Sequence, residues 1–337
     1  MVSRQRSLQG LLLTDQTLLD HGSPSFMDPS VPACHPRLRR PDAAELRGRA
    51  IAAVRVVVHD SRWSPEHAVV GCRGSQPLTG GDTDRMGTGG RLAEYFDGWY
   101  ADMVVSPAKD EILRRHLGLP PYLLSTSFFT WDGIAEATDA LGLALGATLL
   151  DLACGRGGYG LEIAARTGAR LIGVDISAEA VRQATEQARR LGRAAGFRSG
   201  ALTATGLESG SVEAVLCVDA IQFAADRDAA YRELRRVLVP RGRVYLTCWE
   251  PIHRGDERLP DRLRWVGLGA GLEAAGFDDV QVRERPDWRA AERTMWEEAA
   301  LLDPREDRAL QSFHAEALRS LETFDLVRRV MATATAP

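Results

Sequence analysis

Between Thr148 and Ile176 the sequence runs TLLDLACGRGGYGLEIAARTGARLIGVDI: an apolar run, a glycine-rich turn, a helical stretch and a second apolar run. Few folds accept that order. A strand that feeds a helix and returns to a second strand is a parallel βαβ unit with a right-handed crossover. Gly155, Gly157 and Gly160 mark the turn, and glycines at that spacing let backbone approach a ligand with no Cβ in the way. The helix expected over Gly158 to Arg166 aims its free N–H groups at the same turn, where they favour a carboxylate or phosphate. The second strand, Arg170 to Ile176, delivers Asp175 at its carboxyl end.

GRGGYG formally satisfies G-x-G-x-x-G, the dinucleotide fingerprint, so a nicotinamide-dependent oxidoreductase is one reading. The context differs from that fingerprint. An acid precedes the glycines inside the strand end, giving Asp151-Leu152-Ala153-Cys154-Gly155-Arg156-Gly157, and a second acid follows at 175 − 151 = 24 residues. This resembles motif I of the class I S-adenosylmethionine-dependent methyltransferases, in particular the methyltransferase type 11 group that holds the ubiquinone and menaquinone biosynthesis enzymes. The resemblance covers roughly Tyr95 to the C-terminus and is specific from Leu149 to Trp249. Ala153 stands where many members have glycine.

The resemblance implies an α/β fold, a doubly wound Rossmann-like sheet of seven mostly parallel strands with a helical cap. It implies S-adenosyl-L-methionine as cofactor, with Gly155 and Gly157 close to the methionine moiety and Asp175 accepting hydrogen bonds from the two ribose hydroxyls. Asp151, Ala153, Ile176, Leu202, Asp219 and Gln222 complete the expected cofactor wall. One departure stands out. Relatives commonly place an acid near the adenine amino group, at the position of Ala201 here, so adenine recognition is expected from backbone groups around Leu202. That missing acid also motivates a third reading, a non-catalytic methyltransferase-like binding protein.

The alternation of strands and helices continues along the chain. Ser177 caps a helix; Phe197 to Leu202 and Val212 to Val218 read as strands; a helix is expected from Asp228 to Leu238 and a fifth strand from Arg243 to Trp249. Leu263 to Ala275 is expected as a helix closed by Gly276, and Val280 and Val282 mark a sixth strand. Helices over Arg289 to Leu302 and Asp307 to Leu321 precede a closing antiparallel strand, Leu326 to Ala336. Such alternation requires a mostly parallel sheet with helices on both faces.

Residues 1–85 mix Pro, Gly, Ser, Arg and His with little periodicity and are expected to be a disordered extension. Gly71 to Gly90 reads as a linker, and Met86 is an expected translation start. Residues 86–337 form the expected methyltransferase domain: cap helices over 86–140, a cofactor-binding core over 148–250, and acceptor-side helices with closing strands over 251–337. Leu92, Tyr95, Phe96 and Trp99 lie at helical spacing in the cap. Tyr95, Tyr100 and Trp131 are the candidates to line the acceptor site.

Composition excludes several partners. The net charge of −4 comes with no basic patch for nucleic acid. No apolar run approaches the roughly 20 residues of a membrane span. The five cysteines show no C-x-x-C pair and no metal-like spacing, so free thiols in a reducing cytoplasm and no metal are expected. After the fourth strand, Asp219-Ala220-Ile221-Gln222 lacks the N/D-P-P-Y/F segment that holds planar amino groups in adenine and glutamine N-methyltransferases. A small-molecule acceptor, methylated on O, N or C, is therefore expected; the motif fixes neither its identity nor the oligomeric state. Displacement at a sulfonium needs alignment and dryness more than a nucleophile. If the acceptor is a hydroxyl, Asp219 and His253 are the candidate catalytic bases, with His116 behind them.

Overall fold

The structure is a computed structural model that describes residues 89–104 and 106–337. The expectations for residues 1–85, for the linker up to residue 88 and for a start at Met86 lie outside the described residues. In chain order the elements are α1 (Gly89–Val104), α2 (Pro107–Leu117), α3 (Trp131–Leu141), β1 (Thr148–Leu152), α4 (Gly158–Thr167), β2 (Arg170–Asp175), α5 (Ala178–Arg190), β3 (Ala195–Ser199) and β4 (Val212–Val218). There follow α6 (Arg227–Val237), β5 (Leu238–Pro251), α7 (Asp261–Arg264), α8 (Leu268–Ala274), β6 (Asp278–Glu284), α9 (Pro286–Ala299), α10 (Arg308–Thr323) and β7 (Val327–Thr335).

The seven strands form one sheet in the order β3-β2-β1-β4-β5-β7-β6. β3, β2, β1, β4 and β5 run parallel, and β7 is antiparallel to both β5 and β6. The chain winds outward from β1 through β2 to β3, then returns to the other side of β1 as β4. That reversal opens a crevice beyond the carboxyl ends of β1 and β4, the place where open α/β sheets bind ligands.

Every residue of β1 is buried, as a central strand covered on both faces requires. The period of two assigns its side chains: Leu149 joins one apolar cluster with Phe129, Tyr159, Trp288, Trp296 and Phe313. Leu150 and Leu152 join the other, with Ile221, Tyr231, Leu234 and Leu272. Helix starts are set by side-chain caps. Thr130, Ser177, Asp226 and Asp307 accept hydrogen bonds from the N–H groups of Gly133, Ala180, Ala229 and Leu310 at 2.8–3.1 Å.

Three elements differ from the sequence expectation. The helix expected over Leu263 to Ala275 is broken into α7 and α8, because Gly267 is extended (φ −161°) and the Leu268 N–H bonds Glu250 Oε1 at 2.7 Å in place of a helical carbonyl. β5 begins at Leu238, earlier than Arg243, and accommodates Arg241 in the left-handed region (φ +65°) at an irregularity of the β4–β5 register. β3 spans Ala195–Ser199 and ends before Ala201, which sits in a turn bonded to Ala204.

Lys109, the only lysine in the sequence, is buried on α2. Its Nζ lies 3.2 Å from Met103 Sδ, 4.7 Å from the Trp99 ring centroid and 5.3 Å from that of Phe313. Burial lowers its pKa to about 8.

Candidate functional site

The turn after β1 holds three residues in the left-handed region within five positions: Ala153 (φ +59°), Gly155 (φ +52°) and Gly157 (φ +79°). A Cβ is unfavourable there, which is the physical reason glycine is common at the position of Ala153. The turn is closed by Gly157 N–H donating to Cys154 O at 2.9 Å and tied to β2 by Cys154 N–H donating to Val174 O at 3.1 Å. Gly157 then caps α4. Gly158 is pressed so closely by the preceding cap loop that an added Cβ would lie 2.1 Å from Leu124 O.

Two buried acids flank this turn. Asp151, near the end of β1, accepts the Gly160 N–H at 3.1 Å, and burial raises its pKa to about 7 against that bond. Asp175, at the end of β2, accepts Ser177 N–H on Oδ1 at 2.9 Å and Gly155 N–H on Oδ2 at 2.8 Å. Burial raises its pKa as well, opposed by those backbone donors. A carboxylate offers about four acceptor positions, so Asp175 retains capacity for hydroxyl donors.

The cleft over the turn is lined by Leu124 to Ser127, Asp151, Ala153 to Arg156, Gly158, Tyr159 and Val218. Its roof, the segment between α2 and α3, is held by Tyr159. That hydroxyl donates to Ser127 O at 2.7 Å and accepts from Phe129 N–H at 3.3 Å and from the Ser125 hydroxyl. Tyr100 and Thr126 close over Gly155, where an added Cβ would meet Tyr100 Oη at 2.8 Å and Thr126 Oγ1 at 3.2 Å. α1 is fastened to α5 by Asp97 Oδ1, which accepts Ser177 Oγ–H at 2.6 Å and Glu179 N–H at 3.1 Å, and by Gln183 Nε2 donating to Tyr100 O at 2.8 Å. Arg156, in the turn itself, is buried and paired with Asp110 at 2.8 Å.

The structure thus brings Asp151, Ala153, Gly155, Gly157, Asp175 and Tyr100 together. Ile176 is half-buried directly after Asp175, and Leu202 is half-buried in the turn after β3. The backbone groups expected to read adenine near Leu202 are partly used: Ala201 and Ala204 bond each other in both directions at 3.0 Å. Gln222 is buried, donating to Asp219 O at 2.7 Å and accepting from Cys248 Sγ at 3.1 Å.

The expected bases are placed otherwise. Asp219 is buried in the left-handed region (φ +55°), and protein donors engage both its oxygens: Thr247 Oγ1–H at 2.6 Å, Phe128 N–H at 3.1 Å and the Arg329 guanidinium at 2.5 Å. His253 is exposed in the turn after β5 and does not line the cleft. His116 pairs with Glu298 at 2.7 Å. Trp131 lies under the Arg166 guanidinium, 4.2 Å from its ring centroid, at the far end of α4 from the glycine turn. Tyr95 is half-buried with its ring edge-on to Phe96.

Sequence reasoning missed Tyr159, the Ser125 to Ser127 roof, Asp97 and a buried ionic group of Arg329, Asp219 and Glu292. Of these only Tyr159 lay within a recognisable motif. Glu292 sits 3.7 Å from Arg329 Nε and accepts Trp296 Nε1–H at 3.3 Å; burial raises its pKa to about 8, opposed by Arg329. Among the described residues no cluster of His, Cys, Asp and Glu could hold a metal ion, and no helix is long and apolar enough to cross a membrane.

With this geometry in place, residues 150–246 match the family described as Methyltransferase domain. They form a methyltransferase domain of class I, the S-adenosylmethionine-dependent kind. Similar proteins include 27-O-demethylrifamycin SV methyltransferase of Amycolatopsis mediterranei, 29% identical over 45% of this chain and 64% of that one. Sterol 24-C-methyltransferase erg6 of Aspergillus fumigatus is 30% identical over 43% of this chain and 38% of its own length. A third is 2-methyl-6-phytyl-1,4-hydroquinone methyltransferase of Synechocystis, 28% identical over 61% and 70%. The chain therefore spans less than two thirds of the first two relatives, and the range of acceptors in these names singles out no subgroup of the methyltransferases. Among solved structures, the [4+2]-cyclase SpnF aligns at a TM-score of 0.58 with 22% identity, over 74% of this chain and 96% of that one. Phosphoethanolamine N-methyltransferase 2 of Haemonchus contortus aligns at 0.56 with 18% identity, over 69% and 59%. These two likenesses establish the methyltransferase fold, and a cyclase among them illustrates that fold does not dictate reaction.

Proposed function

We propose that this methyltransferase domain transfers a methyl group from S-adenosylmethionine to a small-molecule acceptor. The observation that carries the reading is the pairing of Asp175, at the end of β2, with the Gly155 N–H of a left-handed turn at the point where strand order reverses. The residues fit the group. Asp175 has acceptor positions left for two neighbouring hydroxyls, and Gly155 and Gly157 leave backbone bare where a Cβ would meet neighbouring side chains. When bound, the cofactor would supply an electrophilic methyl group on a sulfonium whose sulfur leaves as a neutral thioether.

The chain's own part is positioning and exclusion of water. The Leu124 to Ser127 roof and Tyr100 cover the turn, so entry to it passes these side chains. Asp219, engaged by Thr247, Phe128 and Arg329, holds the roof. Residues 86–140 serve as cap, 148–250 as cofactor core and 251–337 as acceptor-side cover. The absence of a basic stripe in the sequence favours a small organic acceptor over nucleic acid. Buried free thiols at Cys154, Cys217 and Cys248 suit a reducing cytoplasm.

Calorimetry of S-adenosylhomocysteine on the wild type and on Asp175→Ala, with NADH as control, tests the reading. Saturable binding that the substitution weakens, with no response to NADH, is expected. Absence of binding, or a preference for NADH, would remove the basis of the proposal.

A further inference from the structure

The segment that roofs the cleft runs from the end of α2 to Thr130 with little regular structure, so something other than a backbone ladder must hold it. Tyr159 does so through Ser125, Ser127 and Phe129. Between Ser127 and Phe129, both backbone groups of Phe128 are taken by a single buried ion pair. Asp219 Oδ2 accepts the Phe128 N–H at 3.1 Å, and Arg329 Nη2 donates to Phe128 O at 3.3 Å. The pair itself closes at 2.5 Å between Arg329 Nη1 and Asp219 Oδ1.

These residues come from the position just after β4, from β7 and from the cap, 201 positions apart at the extreme. Arg329 is 0% exposed. Its guanidinium lies 4.2 Å from the Trp249 ring centroid, with Glu292 3.7 Å from Nε. The Phe128 ring is in turn edge-on to Trp249 and Trp296, with centroids at 5.7 and 4.8 Å. Burying a guanidinium with a carboxylate is expensive, and an apolar cluster of the same volume is often as stable or more so. The arrangement is therefore poorly explained by stability. What it does supply is geometry: a planar fork and an acceptor-only carboxylate grip one peptide position from both sides, as a hydrophobic contact cannot.

We propose that Arg329 and Asp219 are positioning residues that clamp the roof at Phe128 and so set the affinity of the cleft for its cofactor. The inference rests on the proposed function for the identity of that cofactor. The clamp itself does not depend on it. Asp219 is then neither a base nor a cofactor ligand, and its influence reaches the cleft through Leu124 to Ser127. Glu292 faces Arg329 Nε at 3.7 Å, with burial pushing its carboxyl toward the neutral form.

The test uses the full chain and the double variant Asp219→Asn/Arg329→Gln, which removes both charges and, because Gln is shorter than Arg, the guanidinium nitrogen that bonds Phe128 O. Two readouts are taken: the Kd for S-adenosylhomocysteine by calorimetry, and hydrogen exchange of peptides covering 124–130 and 158–167. The clamp predicts faster exchange over 124–130, unchanged exchange over 158–167, and a Kd at least tenfold weaker. Asp226→Ala, which loosens the remote start of α6, should leave the Kd unchanged and so separates the clamp from a general loss of stability. A double variant that binds as tightly as the wild type, or whose 124–130 exchange is unaltered, overturns the proposal. If that variant does not fold, Arg329→Lys, which keeps charge but not the fork, is read by the same criteria, with a threefold weakening expected and an unchanged Kd overturning it. A wild type that does not bind S-adenosylhomocysteine refutes the cofactor reading, while the exchange data still judge the clamp.

Discussion

Replacing Gly160 by alanine sets two effects of known size against each other. Gly160 lies inside α4, and on helix propensity alone alanine should stabilise by about 1 kcal/mol. The space is absent, however. An added Cβ would lie 2.5 Å from Asp151 Oδ2, 2.9 Å from Asp151 Cβ and 2.9 Å from Leu171 Cδ1. Asp151 Cβ is fixed to the backbone of β1, so α4 must retreat or the carboxylate must rotate away. Overpacking of this kind costs about 1–3 kcal/mol. Rotation also strips the Gly160 N–H of its buried acceptor, a further ~1–3 kcal/mol. The clash wins, and Gly160→Ala should destabilise by about 2 kcal/mol, lowering the midpoint of thermal unfolding by roughly 4–8 °C for a domain of this size. Gly98→Ala in α1 is the matched control: no heavy atom lies within 4 Å of its Cβ, so propensity acts alone and the midpoint should rise. Scanning calorimetry on both variants decides the matter, and a Gly160→Ala protein as stable as the wild type would refute the close helix–strand packing argued here.

Other outcomes follow from the same geometry. Asp151 binds its proton more tightly in the native state than in the unfolded chain, since its pKa rises to about 7. Its contribution to stability is therefore present at low pH, lost as pH climbs from about 4 to 7, and absent above, with a ceiling of about 4 kcal/mol. Asp151→Asn keeps an acceptor for Gly160 and should gain stability over the wild type at pH 8 but not at pH 4; urea unfolding at both values would expose an equal gap, which is incompatible with the reasoning. Asp226→Ala removes the Ala229 N–H acceptor at the start of α6 and should cost about 1 kcal/mol in the same assay. Cys154, Cys217 and Cys248 are buried, and burial raises each thiol's pKa. Peptide mapping after thiol labelling should find these three modified only in step with unfolding; labelling of any of them in the native protein would contradict the fold.

The parallel sheet and the glycine turn were legible because their signals are local. Alternating apolar runs, glycines at fixed spacing and acids at strand ends all act within a few residues of the structure they specify. Ala153 was legible as a departure, and its φ of +59° supplies the reason. The partners of Asp219 were not legible. A strand-end acid looks free until its partner is known, and Arg329 arrives 110 positions later on the closing antiparallel strand, paired opposite Trp249. The surroundings of Trp131 were not legible for a related reason: only packing shows that its ring faces Arg166. The break between α7 and α8 depends on Glu250 offering Leu268 a better partner than the helix would, a tertiary bond that periodicity does not encode.

Lys109 gives the molecule an unusual chemical address. Because the sequence contains no other lysine, the whole chain owns one side-chain primary amine, sealed beneath Trp99 and Phe313 where α1, α2 and α10 meet. An amine-directed reagent then has two destinations, the backbone amino terminus and this buried nitrogen. Acylation of the second measures how often the cap parts from its neighbours. With arginine at every other basic Lys/Arg position, Lys109 is a single-site tracer for breathing of the cap, readable by mass alone and requiring no engineered label.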